Sequence, residues 1–252
     1  MKYCLLAIPM LAMLLLGCTP KERSVRVEAG NMVVASTARG DGAERVRAVL
    51  ERVREAVDSI RRPVLGEAAV PLEKYIPESP LMNFAADALL EMAQRYSSSP
   101  VDIAITNKGG LRSNIAAGTV TFGDIYNVFP FENTLAFLTL DGKQLRQLCS
   151  EIASVGGEAV SGMRMVITED GGLVDVTVGG EPLNDPSRKY RVATSDYLAQ
   201  GNDKMKTLSL GTERNVTNII IRDLMVQYVK ELTASGKMLA AVCDGRITVK
   251  KP

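Results

Sequence analysis

Apolar residues recur along the chain with two different periods, and the switches between those periods mark out its elements. Residues 43–60, AERVRAVLERVREAVDSI, place Val46, Val49, Leu50, Val53, Val57 and Ile60 on one stripe at helical spacing, with Arg and Glu opposite. The pattern predicts a helix, stopped by Pro63, whose charged face is solvated. Residues 64–76 hold one strand before Pro77. Ser79 then has the character of an N-cap, with Pro80 at the first helical position. The helix that follows turns Leu81, Phe84, Ala85, Ala88, Leu89 and Met92 inward. Asn83 and Asp87 stand four apart on one face of it. They either point together into a site or bond nearby backbone, and on these residues alone the second reading is preferred.

Residues 101–105 form a β-branched and apolar strand that ends at a Gly109-Gly110 turn. Thr121 caps a short helix over 122–128. Residues 134–140 are too uniformly apolar for a half-exposed strand, which predicts burial on both faces. Asp141-Gly142 turns the chain into a helix over 143–153. Strands follow at 163–168, 174–178 and 190–194, separated by Gly171-Gly172 and Gly179-Gly180. Residues 196–204 are expected as a loop, 216–232 as one long helix and 246–249 as a closing strand. Helices and strands mix without a regular βαβ alternation. The expected class is therefore α+β, a mixed sheet with packed helices.

Composition narrows the chemistry. Of 252 residues, 46% are apolar and 23% charged, as in ordinary globular proteins. Thirty basic residues stand against 29 acidic ones, so no global electrostatic case for nucleic acid exists. Histidine is absent from the sequence, which excludes Ser-His and Cys-His pairs and imidazole metal ligands. Chemistry performed by these residues alone would rest on carboxylates, lysine or cysteine.

Residues 1–17 carry one lysine, Lys2, and continue as an apolar run too short for a typical membrane span. The run ends Leu15-Leu16-Gly17-Cys18, which resembles the lipobox of bacterial lipoproteins. The resemblance implies cleavage before Cys18, lipid on Cys18, and a lipid-anchored place in the cell envelope facing the periplasm or outer membrane. The alternatives are an uncleaved anchor or an ordinary secretory signal. Residues 18–42, polar apart from Val25, Val27, Val33 and Val34, read as a tether. Cys4 leaves with the leader and lipid consumes Cys18. Cys149 and Cys243 then either pair in an oxidising envelope or sit as small buried hydrophobes, the preferred reading.

The stretch 102–133 has a binding-site layout. Two glycines after a buried strand let the backbone turn and approach something closely. Arg112 just beyond them offers a permanently charged fork to a carboxylate or phosphate. Phe129-Pro130-Phe131 and Asn133 follow.

Asn107-x-Gly-Gly-x-Arg112, Pro130-Phe131-x-Asn133, Ser161-Gly162-x-Arg164 and Tyr197-Leu-Ala-x-Gly-x-Asp203 occur in this order. Together with Glu78-Ser79-Pro80-Leu81-x-Asn83…Asp87, they resemble the C-terminal, substrate-binding domain of 5′-nucleotidases. That family includes periplasmic UDP-sugar hydrolase and ecto-5′-nucleotidase. The likeness runs from about Val64 to Lys250, giving a domain over 64–252 preceded by a linker-like helix over 43–63.

The resemblance implies that Phe131 and Tyr197 sandwich a nucleobase, that Asp203 accepts from ribose hydroxyls, and that Asn107 and Asn133 contact the base. It implies further that Gly109 and Gly110 approach the ligand and that Arg112 serves the ribose–phosphate end. No ligand role comes to Arg164. Without the resemblance, Phe131 reads as core, Tyr197 as a loop anchor, Asp203 as a turn residue and Arg112 as a surface ion pair.

Two departures shift the expected ligand toward a nucleoside or a differently charged nucleotide. Gly201-Asn202-Asp203-Lys204 replaces the family's Gly-Gly-Asp-Gly, so side chains are expected to intrude there. Pro77 stands where the family usually has an arginine, leaving Lys74 as the nearest cation.

In the family, hydrolysis belongs to an N-terminal metallophosphatase domain whose two metals are held partly by histidines. The expectation is therefore that no catalytic residue, metal or cofactor sits on these residues. Divalent metals would come with a separate metallophosphatase chain, to which this one supplies the nucleotide site. The competing expectations are a non-catalytic envelope lipoprotein that captures nucleosides or nucleotides, and a relative that keeps the fold but has lost the pocket.

Overall fold

The computed structural model describes residues 41–250. The expected leader, the expected tether up to residue 40 and Cys18, the expected lipidation position, lie outside the described residues. The chain divides into two units at Val49 and Leu50, within helix α1 (Asp41–Arg61). The predicted apolar stripe of α1 is exposed throughout, from Val57 at 43% to Ile60 at 62%. Among the described residues, every sheet lies beyond Leu50.

After α1 come β1 (Val64–Ala68), α2 (Pro80–Gln94), β2 (Ile103–Thr106), β3 (Gly118–Thr121), α3 (Phe122–Val128), β4 (Thr134–Asp141) and α4 (Gly142–Ser154). Next are β5 (Ala159–Ser161), β6 (Met163–Thr168), β7 (Leu173–Val178), β8 (Glu181–Pro182), β9 (Lys189–Ser195) and α5 (Asp196–Ala199). β10 (Thr212–Ile220), α6 (Ile221–Ala234) and β11 (Ile247–Lys250) close the fold. The class is α+β. A five-stranded sheet runs β10-β4-β9-β2-β5, a four-stranded sheet β11-β6-β7-β8, and β1 pairs with β3.

The central sheet explains why β4 is so apolar. Successive side chains of a strand point to opposite faces, and both faces of this sheet are covered. Leu135 and Phe137 join one core with Leu81, Leu89 and Met92 of α2 and Leu224, Met225 and Val229 of α6. Ala136, Leu138 and Leu140 join the other, with Leu145, Leu148 and Ile152 of α4 and Met165 and Val176 of the second sheet. Residues 135–140 are buried without exception.

Helix starts follow local chemistry. The Ser79 hydroxyl accepts from the Met82 amide at 3.3 Å, with Pro80 at the first helical turn. Thr121 and Asp124 form a reciprocal capping box on α3, as do Asp141 and Gln144 on α4.

Three expectations are corrected. Residues 216–232 are not one helix: Val216–Ile220 complete β10, paired with β4, and the helix begins at Ile221. The run Val216-Thr217-Asn218-Ile219-Ile220, β-branched at every position but Asn218, loses little rotamer freedom in a strand, and β4 presents an open edge for it. Residues 196–204 are not all loop, because Ser195 caps the α5 turn by accepting from the Leu198 amide at 3.1 Å. Cys149 is buried, as expected of a small hydrophobe, but Cys243 is exposed; both are free.

Candidate functional site

Strand directions bring the candidate residues to one end of the central sheet. β2 and β9 are parallel neighbours, so Asn107 after β2 and Tyr197 after β9 leave the sheet side by side. β4 runs antiparallel to β9, with Leu135 opposite Ser195, so Phe131 and Asn133 before β4 arrive at that same end. Asp196 fastens the corner: its Oδ1 accepts from the Thr134 amide at 3.0 Å and the Tyr197 amide at 2.8 Å.

Asn107, Gly109, Gly110, Arg112, Phe131, Asn133, Tyr197 and Asp203 together line one cavity of about 370 Å³. Phe131 is 50% exposed and Tyr197 39%, so neither ring belongs to the core. Asp203, held at a left-handed φ of 52°, links two other lining residues. Its Oδ2 accepts from Asn107 Nδ2, and its Oδ1 accepts from the Tyr197 hydroxyl at 2.9 Å. That carboxylate favours the protonated phenol and raises the Tyr197 pKa. Arg112 donates to Gly109 O at 3.3 Å, and no carboxylate lies within ion-pair distance of it among the described residues. Its fork therefore remains open to a ligand.

The glycines work differently from a simple tight turn. Neither Gly109 nor Gly110 has a positive φ. Gly110 is a position of close approach, because a Cβ there would stand 2.7 Å from Asn107 Oδ1 and one of the two would have to shift. At Gly109 the nearest atoms to a Cβ are at 3.5 Å, an ordinary contact.

The bracing roles of two lysines and a glutamate beneath this loop escaped the sequence reading. Lys108 donates through Nζ to Glu158 at 2.9 Å, Gly157 O at 2.8 Å and Val155 O at 3.0 Å. Its amide donates to the other Glu158 oxygen at 2.5 Å. Burial raises the Glu158 pKa, and the Lys108 bonds oppose that rise. Lys74, expected as the nearest cation to a phosphate, donates instead to Lys108 O and Leu111 O at 3.1 and 2.6 Å. It braces the loop. Only the Asn107-Lys108-Gly109-Gly110 run hinted at these roles; nothing local in the sequence connects Lys108 to a carboxylate fifty residues away.

The expected intrusion of Asn202 and Lys204 does not occur. Asn202 Nδ2 donates to Tyr197 O at 2.7 Å, and neither side chain lines the cavity. Asn83 and Asp87 are likewise corrected, for both bond side chains. Asn83 Nδ2 donates to Glu78 at 2.6 Å as well as to the distant Val242 O at 2.8 Å. Asp87 accepts from Ser161 at 2.6 Å and from Arg246 at 2.7 and 3.0 Å, beside a second cavity that Arg164 also lines.

The family model described as "5′-nucleotidase, C-terminal domain" matches residues 64–210. The chain belongs to this family. It is 29% identical over 208 residues to Endonuclease YhcR of Bacillus subtilis, covering 79% of this chain and 16% of that protein. It is 30% identical over 167 residues to a probable 5′-nucleotidase of Treponema pallidum, covering 56% of this chain and 27% of the relative. Among solved structures, the 5′-nucleotidase precursor from Thermus thermophilus superposes with a TM-score of 0.71 at 30% identity. That match covers 83% of this chain and 44% of the other. The chain thus spans under half the length of each.

The metals implied by the family do not fit these residues. The sequence has no histidine, and among the described residues no three Cys, Asp or Glu side chains are grouped to hold an ion.

Proposed function

We propose that the cavity at the end of the central sheet binds a nucleoside or nucleotide, and that this chain serves as the substrate-binding half of a 5′-nucleotidase-type hydrolase. The convergence of the eight candidate residues, two of them exposed aromatic rings, on one 370 Å³ cavity carries the reading. Phe131 and Tyr197 offer stacking faces. Asp203, fixed by Asn107 and Tyr197, keeps free lone pairs for ribose hydroxyls, since a carboxylate has about four acceptor positions. Asn133 reaches the base, and Arg112 meets the phosphate end as a planar, permanent cation. Bare backbone at Gly109 and Gly110 allows close approach.

In this proposal hydrolysis is done by a divalent-metal phosphatase domain on another chain, while Cys18 carries a lipid that holds the pair at the cell envelope. The test mixes the purified protein with a two-metal phosphatase domain lacking its own nucleotide site. Association and a gain in nucleotidase rate are expected; neither appearing would refute the partnership. The second reading, a lipoprotein that captures nucleosides without chemistry, is favoured by the completeness of the cavity within one chain. It predicts binding with no gain in rate.

A further inference from the structure

A narrow cleft adjoins the cavity at Phe131 and reaches the start of α6. It shares Asn107, Gly110, Phe131 and Asn133 with the cavity and extends to Thr106 and Arg222. Its free volume of about 20 Å³ admits one water-sized group.

Arg222 is the unusual member. Its side chain is only 9% exposed. A guanidinium carries five N–H donors and no acceptor, yet among the described residues this one makes a single long hydrogen bond, to Pro130 O at 3.4 Å. Its Nε is buried with no hydrogen-bond partner among the described residues. The nearest carboxylates, on the exposed side chains of Glu132 and Asp223, stand 4.0 Å away, beyond hydrogen-bond reach. The guanidinium carbon lies 4.6 Å from the centre of the Tyr126 ring, which supports the charge through its face and leaves the buried Nε–H unmatched. A buried donor left unmatched is costly, so its natural complement is an acceptor arriving with a ligand.

We propose that Arg222 donates into the cleft to an acceptor on the edge of a base stacked against Phe131, and so selects oxo-bearing bases over amino-bearing ones. The inference rests on the nucleoside reading of the cavity. Because arginine cannot accept, an amino group at that edge leaves Arg222 unmatched, whereas an oxo group completes the pair. Sites with buried polar groups discriminate most strongly by leaving such groups unpaired.

The experiment titrates the full chain with inosine and adenosine, which present an oxo and an amino group respectively at the same ring carbon, using calorimetry. Inosine is expected to bind roughly tenfold or more tightly, the span of a hydrogen bond from a charged donor. Arg222→Gln and Arg222→Met should bring the two ligands within about twofold of each other, while Phe131→Ala weakens both alike. Equal binding by the unmodified chain, or discrimination that survives both Arg222 substitutions, overturns the proposal and leaves the nucleoside reading standing. If neither nucleoside binds, that reading falls, and the proposal with it.

Discussion

Gly110→Ala isolates the contact that shapes the cavity floor. The added Cβ would sit 2.7 Å from Asn107 Oδ1, about 0.7 Å inside an ordinary contact, so one of the two must move. Asn107 is 7% exposed and donates to Asp203, which leaves it little room to yield without losing that bond. A hydrogen bond to a charged acceptor contributes about 1.5–3 kcal/mol. Asp203 is exposed, so the expected cost is at the lower end, about 1–2 kcal/mol of stability, together with weaker ligand binding.

Gly109→Ala, with its nearest neighbours at 3.5 Å, is the matched control and should cost under about 1 kcal/mol. Urea unfolding gives the stability difference, and a double-mutant cycle gives the cause. Once Asn107→Ala has removed the obstructing side chain, adding Gly110→Ala should cost almost nothing further. Full additivity in that cycle, or equal effects at Gly109 and Gly110, would refute the reasoning.

Much of the fold was legible because local chemistry and tertiary burial agree. Ser79-Pro80 and Thr121 mark helix starts whatever surrounds them, and the largely apolar run of β4, broken only by Thr139, requires a sheet covered on both faces. The failures come where one pattern runs into another. Val216–Ile220 is apolar and directly precedes a helix, so its period merges with that of α6, and only the open edge of β4 makes it a strand. The three residues of β5 are too few to show any period. At the site, the lining residues were visible as motifs because each belongs to a turn with distinctive residue types. The braces were not: Lys74, Lys108 and Glu158 are ordinary surface-type residues whose roles depend on contacts distant in sequence. Nor did the sequence show that Asn202 turns away from the cavity to bond its own loop.

Three further outcomes are expected. Asp124→Ala removes the acceptor of the Thr121 amide and hydroxyl, at 2.8 and 2.6 Å, and should lower unfolding stability by about 1–2 kcal/mol; an unchanged urea midpoint would contradict the capping role. Hydrogen bonds from Arg95 and Gln227 hold Glu231 down to about 2 from its ordinary 4.5. The stability it adds is therefore present above pH 4.5 and lost as pH falls through about 2, so the melting-temperature gap between the unmodified chain and Glu231→Gln should close over that window; a constant gap would count against it. Burial pushes the Cys149 thiol up to about 12, while Cys243 is exposed. Alkylation of the native protein at pH 8, mapped by mass spectrometry, should label Cys243 and spare Cys149 until denaturation; equal labelling would contradict the packing of α4.

The two aromatic walls, Phe131 and Tyr197, are central to the proposed base binding in this cavity. Isothermal calorimetry with a panel of nucleosides and nucleotides, repeated on Phe131→Ala and Tyr197→Ala, tests them directly. At least one ligand should bind, and each substitution should weaken it by roughly 1–3 kcal/mol without changing the fold. No binding by any member of the panel, or binding indifferent to both substitutions, would contradict the claim that this cavity holds a base.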